Sequence, residues 1–326
     1  MQDQFGRKIE YLRLSVTDRC NLRCRYCMPE SGVADLTHGD VLRYEEMLRV
    51  AAAACRLGIR KIRVTGGEPL VRRGIVDFIG RLAGLPEKPE ITLTTNGLLL
   101  AGLAEELKAA GLSRVNISLD TLRPERFEEL TRRSGLEKVL AGIEAAERVG
   151  MLPIKLNVIP FADFNADEIV AFARLTLDHP WDVRFIEFMP ISADLEYASK
   201  DGMPIKEVES RLRTLGELEA LPHQVSSGPA QMYRLPGAKG RVGLIPSVSG
   251  HFCGDCNRLR VMADGRVRGC LFDNEETDLK MVLRDGSDDQ ALEDLLVEAA
   301  CAKPEKHKIN GKDFMTPSRR MHGIGG

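Results

Sequence analysis

The chain lacks any apolar run approaching the roughly 20 residues needed to cross a bilayer, and its opening residues show no charged-then-apolar secretory pattern. A cytoplasmic location is the expectation. It also lacks a dominant charge: 46 Lys and Arg against 48 Asp and Glu leave a net charge of −2. A surface so balanced advertises neither nucleic acid nor membrane. No internal repeat and no low-complexity tract is visible. The 326 residues, 43% hydrophobic and 29% charged, suffice for one large α/β domain with an appendage, or for two domains.

The most telling shortage is among the cysteines. Eight are spread through a long chain, a pattern that favours metal or redox chemistry over disulfides. Six form two triplets, Cys20-x3-Cys24-x2-Cys27 and Cys253-x2-Cys256-x13-Cys270. Each triplet supplies three thiolates, whereas a four-iron cluster has four irons to ligate. If both triplets hold clusters, each leaves one iron open, one for a cofactor and one for a substrate. A structural zinc site wants four protein ligands; His251 is the available fourth donor at the second triplet, and zinc stays open as the alternative. Cys55 and Cys301 follow alanine-rich stretches and are expected to be buried small residues.

Strand-like segments at 10–16, 60–65, 91–95, 114–119, 154–159 and 183–188 alternate with helical patterns at 44–57, 74–83, 99–110, 124–149 (in two pieces) and 166–177. The alternation predicts βαβ units and a parallel sheet forming an open or partial barrel, with the site at the C-terminal ends of the strands. Past Pro190 the pattern changes to a helix over 204–215, short strands near 231–235, 241–245, 258–262 and 266–270, and helices near 278–284 and 290–302. The expected division is residues 1–200 as the barrel and 201–326 as an α+β extension.

The first triplet follows the first strand, and Tyr26 precedes its third cysteine. Gly66-Gly67-Glu68-Pro69 follows the second strand, where glycines let backbone approach a ligand, although a Gly-Gly pair alone is as readily an ordinary turn. Polar residues end or occupy later strands: Thr94-Thr95-Asn96-Gly97, Ser118-Leu119-Asp120, Lys155-Leu156-Asn157 and Glu187-Phe188-Met189-Pro190. Around the second triplet, Arg241, Arg258, Arg260, Arg266 and Arg268 face only Asp255 and Asp264 in sequence, a balance suited to an anionic ligand. Arg258 and Arg260 alternate on a strand and share one face, and guanidinium forks bind phosphate in bidentate fashion. A solvated basic strand is the bland alternative. His38, His179, His223, His307 and His322 have no paired nucleophile or acid and are read as surface or structural.

The first triplet with its context resembles the radical S-adenosylmethionine superfamily. The second, from Phe252-Cys253-Gly254-Asp255-Cys256-Asn257-Arg258-Leu259-Arg260 to Asp264-Gly265-Arg266-Val267-Arg268-Gly269-Cys270, resembles the GTP 3′,8-cyclase family, over nearly the whole chain to Gly325-Gly326. That resemblance implies a partial (β/α)6 barrel with an extension carrying a second cluster, two [4Fe-4S] clusters and S-adenosyl-L-methionine. It implies that a 5′-deoxyadenosyl radical takes the ribose 3′ hydrogen of GTP and that C3′ then bonds C8, the first step of molybdenum cofactor biosynthesis. It further implies that Cys20, Cys24, Cys27, Cys253, Cys256 and Cys270 are iron ligands, and that Tyr26, Gly67, Ser118 and Met189 contact S-adenosylmethionine. Arg13, Arg63, Thr94, Lys155 and Arg258-Leu259-Arg260 are implied GTP contacts, with Arg266 and Arg268 as additions, and the terminal double glycine is implied to reach the site. The partners implied are GTP, an external electron donor, the synthase that makes cyclic pyranopterin monophosphate, and, as an option, a second copy in a homodimer. Two rivals remain at this stage: a radical enzyme acting on peptides, and a non-enzymatic iron–sulfur carrier or zinc-stabilised binding module.

Overall fold

The computed structural model describes residues 1–33, 36–191, 201–222, 228–250, 252–309 and 314–325. Six β-branched segments form the first six strands: β1 (Tyr11–Ser15), β2 (Lys61–Thr65), β3 (Glu90–Thr95), β4 (Arg114–Ser118), β5 (Lys155–Val158) and β6 (Asp182–Ile186). Between them lie α1 (Tyr44–Arg56), α2 (Ile75–Ala83), α3 (Ala104–Ala109), α4 (Pro124–Thr131), α5 (Leu136–Arg148) and α6 (Ile169–Asp178). All six strands run parallel, as right-handed βα crossovers require.

The extension adds α7 (Ile205–Leu212), β7 (Glu219–Ala220), β8 (Gln231–Arg234), β9 (Arg241–Ile245), β10 (Arg258–Val261), β11 (Arg266–Arg268), β12 (Thr277–Asp278), α8 (Lys280–Arg284), α9 (Asp289–Cys301) and α10 (Met321–Ile324). Two of these strands continue the barrel. β9 pairs parallel with β6, and β10 pairs parallel with β1, Tyr11 facing Arg258. The antiparallel strands β8–β7 and β11–β12 finish the two ends of the sheet. Eight parallel strands thus curve around one interior, while β9 and β10 do not pair with each other, so the barrel has an open seam. Alternation along each strand sorts the side chains. Leu12, Leu14, Ile62, Val64, Val183, Phe185, Leu259 and Val261 pack outward under the helices. Tyr11, Arg13, Lys61, Arg63, Arg184, Arg258 and Arg260 point inward. A barrel of this size is ordinarily filled by branched apolar side chains. This interior carries arginine, lysine and tyrosine side chains and holds a cavity instead.

Buried carboxylates fasten the loops. Glu46 accepts from Arg43 N at 2.6 Å, capping α1, and from Arg284 Nε at 2.8 Å, binding α8 to α1. Glu187, 4% exposed, turns away from the interior. It accepts from Ile205 N (3.0 Å), Val248 N (2.8 Å), Ser249 N (2.8 Å) and Ser249 Oγ (2.5 Å). It ties the end of β6 to the loop that leads from β9 into the second triplet. Cys55 is buried as expected, but Cys301 is exposed, because α9 buries the stripe Leu292, Leu296, Ala299 and Ala300 and position 301 falls off it. No helix among the described residues is long and apolar enough to cross a membrane.

Candidate active site

One cavity of about 300 Å³ runs through the barrel, and all six triplet cysteines line it. The two triplets lie at opposite ends. Cys20, Cys24 and Cys27 follow the C-terminal end of β1; Cys256 precedes β10, which runs parallel to β1, and Cys270 follows the antiparallel β11. The space between is walled by cations.

The first triplet sits on a tight loop, with Cys27 N and Met28 N both donating to Cys24 O. Arg132 Nη1 donates to Arg23 O at 2.9 Å and to Met28 O at 3.2 Å, holding the loop from α4's end. Cys20 Sγ accepts from Leu22 N at 3.4 Å. Asn96 joins the loop to the Gly-Gly-Glu-Pro segment: its Nδ2 donates to Asn21 Oδ1 at 2.8 Å, and its backbone N donates to Glu68 Oε2 at 2.7 Å. Glycine is required at positions 66 and 67 because a Cβ on Gly66 would lie 2.6 Å from Thr17 O, and one on Gly67 would collide with Arg19 O. The segment therefore presses directly on the cysteine loop. Tyr26 donates from its hydroxyl to Asp120 Oδ2 at 2.8 Å, while Asp120 Oδ1 accepts from Ile159 N at 2.7 Å. Burial, with little cationic help, pushes the Cys20 thiol up to about 11 and the Cys27 thiol up to about 12.

The second triplet has a different electrostatic setting. Burial pushes Cys256 up, but the neighbouring Arg258 and Lys303 charges outweigh it and bring the thiol down to about 6. Lys303, 2% exposed, spends its three N–H donors here: on Cys256 Sγ at 3.3 Å, Arg258 O at 3.1 Å and Gly269 O at 2.5 Å. It thereby links the two ends of the long Cys256–Cys270 spacer. Arg7 completes the frame by donating to Cys253 O, Pro304 O and Glu305 O.

The donor set fits two iron–sulfur clusters: each end offers three thiols converging on one cavity. Among the described residues no three His, Cys, Asp or Glu side chains come together as one metal ion would need, and a four-iron cube spaces its thiolates more widely than a single ion does. His251, the fourth donor considered for zinc, lies outside the described residues.

Of the other residues singled out by sequence, Tyr26, Gly67, Ser118, Met189, Arg13, Arg63, Thr94, Arg258 and Arg260 line the cavity. Leu259 does not; alternation places it in the outer core. Arg268, wholly buried, gives its Nε to Glu276 Oε1 at 2.7 Å, and Arg266 lies within ion-pair reach of Glu276 and Asp278. Lys155 sits below the cavity, 3.7 Å from Asp182. Two histidines read as surface or structural, His307 and His322, prove to be on the cavity wall. The C-terminal segment does enter: Arg13 Nη2 donates to Gly325 O at 3.0 Å, and Gly325, at φ +76°, packs on Ser15 and Thr65 with no room for a Cβ. Gly326 is outside the described residues.

Sequence reading passed over Tyr11, Lys61, Arg184 and Lys303, all of which line the cavity. The first three occupy inward positions of their strands, so the period-2 rule applied to charged residues would have found them. Arg184 Nη2 donates to Asn116 Oδ1 at 2.8 Å and Asn157 Oδ1 at 2.5 Å. Burial, followed by repulsion from Arg63, lowers its pKa to about 9. Lys303 had no such signal, since it lies past the end of α9 in a loop.

A cysteine triplet on the loop after the first strand of a parallel barrel, against a Gly-Gly-Glu-Pro segment, is the arrangement of the radical S-adenosylmethionine enzymes. Residues 14–176 match the family described as the Radical SAM superfamily, and residues 181–309 match Molybdenum Cofactor Synthesis C. A solved structure of Streptococcus suis SuiB bound to its precursor peptide SuiA shares the fold, with a TM-score of 0.63 over 94% of this chain and 67% of that one, at 14% identity. Curated relatives are far closer in sequence. GTP 3′,8-cyclases of Syntrophomonas wolfei (47% identical) and Heliobacterium modesticaldum (49%) each match over 100% of both chains, and that of Geobacter sulfurreducens (47%) matches over 99% of both. The chain belongs to the GTP 3′,8-cyclase family.

Proposed function

We propose that this protein converts GTP to (8S)-3′,8-cyclo-7,8-dihydroguanosine 5′-triphosphate, the first step of molybdenum cofactor biosynthesis. One observation carries the substrate end of this reading. Arg13 Nε, Arg184 Nε, Arg260 Nη1 and Thr94 Oγ1 are buried donors without a hydrogen-bond partner, and all four belong to residues that line the cavity. Buried donors left unpaired are costly. Four around one space call for a ligand rich in acceptor oxygens, which a nucleoside triphosphate is. A peptide offers far fewer anionic oxygens to these guanidiniums.

Cys20, Cys24 and Cys27 would hold one [4Fe-4S] cluster, and Cys253, Cys256 and Cys270 a second. When bound, the first cluster and S-adenosylmethionine supply a radical that removes hydrogen from unactivated carbon. The chain's own share is placement and exclusion of water. Tyr26, Gly67, Ser118 and Met189 bound the cofactor's end of the cavity, with the Tyr26 ring fixed through Asp120. Arg13, Arg63, Arg258 and Arg260 hold the triphosphate, and Thr94 adds a hydroxyl. The second triplet, one ligand short, leaves a position for the guanine edge. Held at both ends, the ribose would lie between the two triplets, with its 3′ hydrogen on the side of the first. Lys155, Arg266 and Arg268 do not line the cavity; they pair with Asp182, Asp278 and Glu276.

The test is an oxygen-free incubation of reduced, cluster-reconstituted enzyme with GTP and S-adenosylmethionine, with the product followed by mass and NMR. A cyclised guanosine triphosphate is expected, together with about eight irons and as many sulfides per chain. Methionine release without cyclised product would overturn the substrate assignment; zinc in place of iron would overturn the chemistry.

A further inference from the structure

Tyr11 opens β1, and the alternation that buries Leu12 and Leu14 under the helices turns Tyr11 and Arg13 into the barrel. The tyrosine is 7% exposed, and its hydroxyl is buried with no hydrogen-bond partner. Its polar surroundings are one-sided. Arg63 Cζ lies 5.2 Å and Lys61 Nζ 5.5 Å from the ring centroid, Arg258 stands opposite on β10, and Arg13 follows on the same strand. Each of these groups donates hydrogen bonds and none accepts one. The phenol proton therefore has no acceptor among these neighbours, and the cavity is the place left for one. Burial pushes the phenol up, but Arg63, Arg13, Lys61 and Arg258 together hold it below the ordinary tyrosine range, which makes it a stronger donor.

The acceptor must also be at ease among four cations, which selects anionic oxygen over a neutral carbonyl. We propose that Tyr11 is a substrate-binding residue whose hydroxyl donates to a phosphate oxygen of the bound nucleoside triphosphate. This rests on the GTP reading of the site and adds a neutral donor to its arginines. Such a donor adds a directed, uncharged hydrogen bond to those of the guanidinium forks.

The experiment uses cluster-reconstituted enzyme, wild type and Tyr11→Phe, under oxygen-free conditions. It compares binding of GTP, GMP and guanosine, the split between KM and kcat for cyclisation, iron content and thermal midpoint. Loss of a hydrogen bond to a charged partner weakens binding roughly ten- to hundredfold. GTP should weaken by that factor and KM should rise with kcat nearly unchanged, while guanosine affinity and iron content stay as in wild type. Unchanged GTP affinity would overturn the proposal, as would an equal loss for guanosine, which would place the hydroxyl on the base or in a structural role. A wild-type enzyme that neither binds nor cyclises GTP would reject the functional reading beneath it.

Discussion

Glu187→Gln tests whether one carboxylate holds the second triplet's loop in place. The two carboxylate oxygens divide the donors, Oε1 taking Ile205 N and Ser249 Oγ, Oε2 taking Val248 N and Ser249 N. In the variant, the least costly orientation sets the new amide NH2 beside the Ser249 hydroxyl, which can turn to accept. Ile205 N–H then faces a donor, and a buried unpaired N–H costs about 1–3 kcal/mol. The two bonds kept by the amide oxygen lose their charge assistance, from about 1.5–3 to about 1 kcal/mol each. The sum spans about 2–7 kcal/mol and centres on about 4.5, or about 1.5 M in urea midpoint for an m-value of about 3 kcal/mol/M. The acid limb should change as well. Burial pushes the Glu187 carboxyl up, but Ser249, Val248 and Ile205 hold it below its ordinary 4.5. Its contribution is therefore complete above about pH 4.5 and is lost as pH falls through the lower folded value. The variant should lack that acid-dependent loss. Urea unfolding between pH 3 and 7 measures both effects. A midpoint shift worth less than about 1 kcal/mol, with the wild-type acid limb intact, would refute the argument, since three N–H donors and a hydroxyl cannot lose a buried anion so cheaply.

Three further outcomes follow from the site. Cys24→Ala should abolish reductive cleavage of S-adenosylmethionine, whereas Cys256→Ala should keep some uncoupled cleavage and yield no cyclised product; the assay is deoxyadenosine against cyclised nucleotide. Arg260→Met should raise the KM for GTP, whereas Arg268→Met, which removes one partner of Glu276 while Arg319 still holds it, should leave KM alone and destabilise the fold by about 1.5–3 kcal/mol, the scale of a charge-assisted hydrogen bond. Lys155 is held near 6, chiefly by burial and then by Arg184, against an ordinary 10.5. The unfolded chain thus binds its proton more readily, and stability should rise with pH from about 6 toward 10.5. Lys155→Met should flatten that rise in denaturation curves, with Asp182 still held by Arg241.

The six barrel strands were legible because each is a short β-branched run between turn residues, and the structure places them within one or two residues of expectation. The helix expected over 99–110 shrinks to Ala104–Ala109, since Gly97 and Gly102 favour turns over the first part of that span. The two cysteine triplets were legible because their spacing is written locally, and the structure brings both to one cavity. What stayed hidden is non-local. Nothing in Arg241–Ile245 or Arg258–Val261 says that the first will extend the sheet beside β6 and the second beside β1. Nor could charge alone separate Arg258 and Arg260, which face the cavity, from Arg266 and Arg268, which answer Glu276 and Asp278. Those acids lie beyond the second triplet, past Cys270.

The pairing of β1 with β10 also has a consequence for the order in which the chain assembles. Tyr11 meets Arg258 only after almost the whole polypeptide exists, and contacts so distant in sequence are slow to form because loop closure must come first. The first triplet needs only its own loop and the strands beside it. The second needs β10 seated on β1, Arg7 reaching Cys253, and Lys303 threaded between Cys256 and Gly269. Assembly of the two ends is therefore staggered, the first triplet's loop forming early and the second triplet coming together only when β10 docks on β1.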